Sequence, residues 1–209
     1  MSVAADAVVL KRLGRVDYVA TWQAMRDFTQ RRDESTADEL WLLEHPPVYT
    51  LGQGADPRFG PQAGSVASAV PLIQTDRGGE ITYHGPGQLV VYTLVDLARR
   101  GIKVKQFVSL LENAVLDLLG GRGARRPGAP GVYVDGAKIA ALGIRVSRGR
   151  AYHGVALNVD MDLMPFRAIA PCGYPGLAVT QMRDLGVREG TEALAERLAG
   201  RIVERLEHA

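Results

Sequence analysis

Two side chains of this 209-residue sequence are placed to do acyl chemistry. Cys172 is its one cysteine and stands in Ile169-Ala170-Pro171-Cys172-Gly173-Tyr174-Pro175-Gly176, where two prolines and two glycines fix a non-repetitive backbone. A lone cysteine is most often a small buried hydrophobe. On a rigid loop it is more often a nucleophile, because sulfur attacks a thioester carbonyl well and leaves well. A free thiol, with a pKa of about 8.5, is only slightly ionised at neutral pH and needs a nearby cation or histidine. Lys138 is the candidate cation. It is one of four lysines among 25 Lys+Arg, in Gly136-Ala137-Lys138-Ile139-Ala140-Ala141-Leu142-Gly143-Ile144, with no other charge before Arg145. Two readings stand open: a lysine on the solvent face of a hairpin strand, or one held beside a thiolate or acyl carbonyl.

A third feature is the run Arg77-Gly78-Gly79-Glu80-Ile81-Thr82-Tyr83-His84-Gly85-Pro86-Gly87-Gln88, with four glycines and a proline in twelve residues. It matches neither GxxxxGK[ST] nor GxGxxG, so it is no phosphate cradle. It reads either as a hairpin turn or as the lining of a channel where glycines admit a ligand chain and His84 supplies a proton or a hydrogen bond. His153 reads equally as a core histidine or a site residue, His45 before two prolines as structural, and His208 as a frayed terminus.

The elements that must position these groups follow from periodicity. Ala7–Leu13, Glu39–Glu44, Val48–Leu51, Pro71–Gln74 and Gln88–Leu94 read as strands. Asp17–Arg32 reads as a helix with Tyr18, Trp22, Met25 and Phe28 on one face. Val104–Leu119 is a second helix, stopped by Gly120-Gly121, and Thr191–Glu207 a third. Asp135-Gly136 between Gly131–Val134 and Lys138–Val146 is a hairpin signal. Arg150–Val159 follows as a strand after a loop at Arg145–Arg150. Gly52–Ser68 reads as a loop and candidate lid, and Asp160–Leu185 as irregular. Hairpins between scattered helices, without βαβα alternation, indicate one α+β domain spanning 1–209, a mixed sheet flanked by helices.

Composition narrows the function. Hydrophobic residues make up 46% and charged residues 23%, as in soluble globular proteins. A net charge of +2 argues against a nucleic-acid binder. One cysteine and scattered histidines argue against a structural metal. No signal-peptide pattern opens the chain and no apolar run reaches the ~20 residues of a membrane span, so a cytoplasmic protein is expected.

Across roughly residues 40–185 the chain resembles the octanoyl-[acyl-carrier-protein]:protein octanoyltransferases, the lipoyl(octanoyl) transferases of lipoate biosynthesis. The segments that carry the likeness are His45–Gly52, Arg77–Gln88, Gly131–Gly143, His153–Asn158 and Pro171-Cys172-Gly173. The resemblance implies the fold of lipoate and biotin ligase catalytic domains and a ping-pong transfer without cofactor. Cys172 would take the octanoyl group from acyl carrier protein as a thioester. A lysine on a lipoyl domain, of a 2-oxoacid dehydrogenase or the glycine cleavage H protein, would then receive it. Lys138 would be the acid–base partner. Arg77, Gly78, Gly79, Glu80, Ile81, Thr82, Tyr83 and His84, with Ala141, Leu142, Gly143, Gly154, Val155 and Ala156, would line the acyl pocket. Basic clusters at Arg99-Arg100-Lys103-Lys105, Arg122-Arg125-Arg126 and Arg145-Arg148-Arg150 are candidate docking spots for acidic partners. The competing readings are an ATP-dependent ligase of the same fold and a non-catalytic acyl-binding module.

Overall fold

The computed structural model describes residues 7–61, 69–169 and 177–209. Cys172 lies outside the described residues, as does 62–68 of the candidate lid. The strands are β1 (Val8–Arg15), β2 (Asp38–Glu44), β3 (Val48–Leu51), β4 (Leu72–Gln74), β5 (Ile81–His84), β6 (Gln88–Asp96), β7 (Ala124–Arg125), β8 (Gly131–Val134), β9 (Ala137–Ser147) and β10 (Arg150–Asn158). The helices are α1 (Tyr18–Arg31), α2 (Val104–Leu118) and α3 (Thr191–Glu207).

Seven strands form one mixed sheet in the order β1-β2-β6-β10-β9-β8-β7, and β4-β3-β5 form a second. The β1–β2 pair is parallel and is joined through α1, while β2–β6, β6–β10, β10–β9 and β9–β8 are antiparallel. The expected mixed sheet flanked by helices is the one observed.

Alternation along the central strands divides the interior. Leu89, Val91 and Val95 of β6 pack with Phe107, Leu111 and Val115 of α2 and Leu194, Leu198 and Ile202 of α3. Val90, Tyr92 and Leu94 of the same strand face the other way, toward Met25 of α1 and Trp41 of β2. A third cluster joins Tyr49, Leu51, Ile81 and Tyr83 of the small sheet to Phe166 and Ile169.

Three local expectations are corrected. The buried stripe of α1 is Tyr18, Thr21, Met25 and Thr29, whereas Trp22 and Phe28 are only half-buried. The last hairpin turns on Arg148-Gly149 alone, with φ of 51° and 78°, so Arg145 belongs to β9 and Arg150 to β10. Arg99 and Arg100 are not a free docking spot. With Arg32 they bind the fully buried carboxylate of Asp38, at 2.8, 2.6 and 2.6 Å respectively. A buried carboxylate requires such partners, and these arginines tie β2 to the end of β6 and to α1.

Candidate active site

A cavity of about 370 Å³ lies against β6, β10 and β9 on the side of the sheet that α1 covers. Its volume is that of a small-ligand pocket. The segment 77–84 roofs it, and Gly78 N–H donates to Ile144 O of β9 at 3.0 Å to close roof onto floor. Small residues make this approach possible. A Cβ built on Gly143 would sit 2.9 Å from Gly78 O and 3.2 Å from Arg77 Cδ, so a side chain there would push the roof off the strand.

Arg77 is held in the wall by Thr50. Its Nη2 donates to Thr50 O at 2.6 Å and to Thr50 Oγ1 at 2.8 Å, and its Nη1 donates to Gly78 O at 3.0 Å. Gly78, Gly79, Glu80, Ile81, Thr82 and His84 complete the roof lining, and Ala141, Leu142, Gly143, Gly154, Val155 and Ala156 line the sheet side. Tyr83 is brought elsewhere. Alternation turns it away from Thr82 and His84, and its ring packs 5.2 Å from Tyr49 and 5.6 Å from Phe166.

Lys138 is not a solvent-face lysine. It is 6% exposed, lines the cavity, and its Nζ donates to Pro130 O at 3.0 Å while lying 5.6 Å from the Tyr133 ring centroid. The Asp135-Gly136 turn, with φ of 49° and 81°, places it one residue into β9. Its backbone is locked on the other side by the 178–180 segment, through Lys138 N–H to Ala178 O at 2.8 Å and Thr180 N–H to Lys138 O at 3.0 Å. Gly131 makes the room: at φ +140°, a Cβ there would come 2.5 Å from Lys138 Cε and 2.7 Å from Ala140 O.

The inner wall holds the imidazoles of His84 and His153 and the phenols of Tyr18 and Tyr92, with His45 packed behind Tyr18 and His84. His84 Nδ1 pairs with Gln88 Oε1 at 2.7 Å, and Gln88 Nε2 donates to Asn158 Oδ1 at 3.0 Å. His45 pairs with Val16 O at 2.8 Å and with Tyr92 OH at 2.7 Å. Burial pushes His84 down to about 3, helped by His45, and pushes His45 down to about 4. His84 is therefore neutral at pH 7 and can offer a hydrogen bond but no proton. His153, also lowered by burial, pairs through Nε2 with Asp76 Oδ1 at 2.9 Å. Burial works against the Asp76 anion, but hydrogen bonds from His153, Tyr152 and Trp22 outweigh it and hold the carboxyl well below its ordinary range. His153 has φ +63° inside β10, a left-handed backbone that costs a non-glycine residue about 1–2 kcal/mol. Its Nδ1 and the Tyr18 hydroxyl are buried without hydrogen-bond partners among the described residues, and both side chains line the cavity.

Sequence reasoning missed Asp76, Tyr18 and Glu112 as parts of this region. Asp76 directly precedes Arg77, and the adjacency of acid and arginine was a usable signal. Glu112 lies beside the apolar stripe of α2, yet it is buried and accepts from Gly131 N–H at 2.9 Å.

Known proteins match most of the chain. Residues 17–202 match the lipoyl protein ligase A/B catalytic domain. An octanoyltransferase of Thiobacillus denitrificans is 59% identical over 190 residues, covering 89% of this chain and 85% of that protein. Among solved structures, the bipartite lipoate protein ligase of Thermoplasma acidophilum, studied with its E2 lipoyl domain, superposes with a TM-score of 0.74. It is 16% identical, and the match covers 95% of this chain and 83% of that one. A biotin protein ligase of Aquifex aeolicus in complex with biotin and ATP gives a TM-score of 0.61 at 14% identity, over 95% of this chain and 70% of that one. At such identities the solved structures establish the shared fold alone.

Proposed function

This chain belongs to the lipoyl protein ligase A/B catalytic-domain family, and on that footing we propose the route by which it transfers octanoyl groups in lipoate biosynthesis. It is an acyltransferase. The observation that carries the route is a buried amine, Lys138, in the wall of a cavity whose other walls are largely Gly, Ala, Val, Ile and Leu. Such walls suit an alkyl chain, each buried CH₂ contributing about 0.8 kcal/mol.

In the first half-reaction Lys138 takes the thiol proton of Cys172, and the resulting thiolate sulfur attacks the thioester carbonyl of octanoyl-acyl carrier protein. The new C–S bond forms, the tetrahedral intermediate collapses, and the donor thiol departs with a proton supplied by Lys138. In the second, the ε-amino group of a lysine on a lipoyl domain attacks the acyl-enzyme. Lys138 takes its proton, the C–S bond breaks and the amide is released. Sequence position supports Cys172 in this role. Phe166 and Val179, on either side of segment 170–176, both line the cavity, and Val179 bridges to Lys138. A primary amine can release its proton in the second step and a guanidinium cannot. Arg77 and His84 belong to the binding wall: one is tied to Thr50, the other neutral and tied to Gln88.

Thioester-to-amide exchange is downhill and requires no ATP, which separates this reading from a ligase. The test is incubation with octanoyl-acyl carrier protein without nucleotide, followed by intact mass measurement. One octanoyl adduct, absent in Cys172→Ala, is expected. No adduct, together with ATP-dependent modification of a lipoyl domain by free octanoate, would assign ligase chemistry instead.

A further inference from the structure

Glu112 is a carboxylate in an apolar setting. It lies on α2 beside Phe107, Leu110, Leu111, Ala114, Val115 and Leu118, and it is 7% exposed. Burying a carboxylate away from water is costly unless a donor meets it. The donor here is Gly131 N–H, at 2.9 Å from Glu112 Oε1. The other end of the same peptide unit is the carbonyl of Pro130, which accepts from Lys138 Nζ at 3.0 Å. One peptide group therefore stands between a buried acid and the amine of the cavity, its N–H toward the acid and its C=O toward the amine. A negative charge at the N–H end strengthens the peptide as an acceptor at its C=O end, because hydrogen bonds in series polarise one another. The register admits no slack, since Gly131 has no space for a Cβ between Lys138 Cε and Ala140 O.

We propose that Glu112 is a positioning residue of the transfer reaction: its carboxylate, acting through the 130–131 peptide, holds the Lys138 amine in place. Glu112 does not line the cavity and touches no substrate, so this peptide is its path to the chemistry. The proposal rests on the reading of Lys138 as the acid–base group. In the proposed mechanism Cys172 faces that amine, and among the described residues the other ionisable groups near it are Tyr133 on β8 and, around the cavity, Glu80, Arg77 and His84. On the elements packed against α2, the ion pair described is Asp117 with Arg205 of α3.

The experiment measures acyl-enzyme formation from octanoyl-acyl carrier protein, and transfer to a lipoyl domain, across pH in the wild type, Glu112→Gln, Glu112→Asp, Lys138→Met and the Glu112→Gln/Lys138→Met pair. Glu112→Gln keeps an acceptor for Gly131 N–H but loses the charge. Transfer should fall about tenfold and the pH–rate profile should change shape, since the 130–131 peptide loses the charge at its N–H end. Glu112→Asp should keep the wild-type profile at reduced rate. In the Lys138→Met background, Glu112→Gln should have no further effect. A wild-type rate and profile in Glu112→Gln, with Lys138→Met inactive, overturns the relay alone. A wild-type rate in Lys138→Met removes the acid–base reading and the relay with it. Should Glu112→Gln fail to fold, the Gly131 amide proton resonance serves in its place. It is expected to shift between wild type and Lys138→Met, and an unchanged resonance overturns the relay.

Discussion

The two ends of β9 carry positive charge in opposite ways. Lys138, near its start, is flanked by β8 on one side and the 178–180 segment on the other, and is buried. Arg145, near its end, reaches outward to Gln53 Oε1 at 2.7 Å in an exposed contact, and Arg148 sits on the exposed turn beyond. Arg150, just across that turn, folds back to Arg32 O at 2.6 Å and to Asp96 at 3.3 Å. The strand thus presents one amine to a cavity and the half-buried Arg145 to Gln53, while the turn beyond it presents Arg148 to solvent and its hairpin partner turns Arg150 to the fold. Coverage by neighbouring strands decides which of these cations faces the cavity.

The contrast breaks most sharply at Lys138. Lys138→Met should reduce transfer by about 10²–10⁴-fold, the usual weight of a general acid–base, while the circular dichroism spectrum stays native. Lys138→Arg should transfer almost as poorly despite keeping the charge. A Lys138→Arg enzyme with wild-type turnover would show that only charge is required.

The next largest effect is expected in the roof of the cavity. Gly79 has φ +85°, so Gly79→Val is strained and adds bulk at the cavity lining. A loss of about 1–3 kcal/mol in stability and at least tenfold slower acyl loading should follow, read by denaturant titration and mass measurement. Unchanged loading would remove the roof from the acyl path.

The buried imidazoles sharpen the comparison through pH. His45 and His84 have folded values of about 4 and about 3, below the ordinary value near 6.5. Both must stay neutral in the fold, while the unfolded chain takes up protons as pH falls below 6.5. Their neutral state therefore imposes no acid penalty above that pH, and stability declines as pH drops toward 4. Between pH 7 and pH 5 the decline should be about 2–4 kcal/mol, and His84→Gln should flatten the slope measured by denaturant titration. An identical slope in that variant would place the acid sensitivity elsewhere.

The smallest effect belongs to the exposed end of β9. Arg145→Glu with Arg148→Glu should raise the apparent KM for octanoyl-acyl carrier protein by roughly 3–10-fold at low salt and leave octanoyl-CoA nearly unaffected. Equal losses for both donors would point to damage in the cavity. Arg150 is left out because its contacts hold β10 to the α1 side of the sheet.

Much of this region was legible beforehand. The RGG-x-x-TYHGPGQ run and the Ala/Gly setting of Lys138 point to segments that line the cavity, and the Asp135-Gly136 turn to the hairpin that carries one of them. What escaped depends on long-range partners. Glu112 meets Gly131 nineteen residues later, and Asp76 meets Tyr152 and His153 across the cavity. Nothing in the spacing of Arg99 and Arg100 told that Asp38 would claim them. Tyr83 lies outside the cavity lining because its strand shows alternate residues to opposite sides and its ring turns to Tyr49 and Phe166.

The strand order of the large sheet also governs the timing of synthesis. β1, β2 and β6 all come from the first half of the chain, β7 to β10 form a meander in the second, and the two join along a single seam between β6 and β10. The cavity straddles that seam, so no part of the nascent chain owns it. At about 5–20 residues per second a ribosome leaves β6 without its second neighbour for roughly 3–12 s, until β10 has been made. Throughout that interval a nine-residue strand that the finished protein buries completely presents an open edge. The protein thus relies on prompt completion of its C-terminal half, and a chain stopped before Arg150 should accumulate as aggregate rather than as a folded fragment.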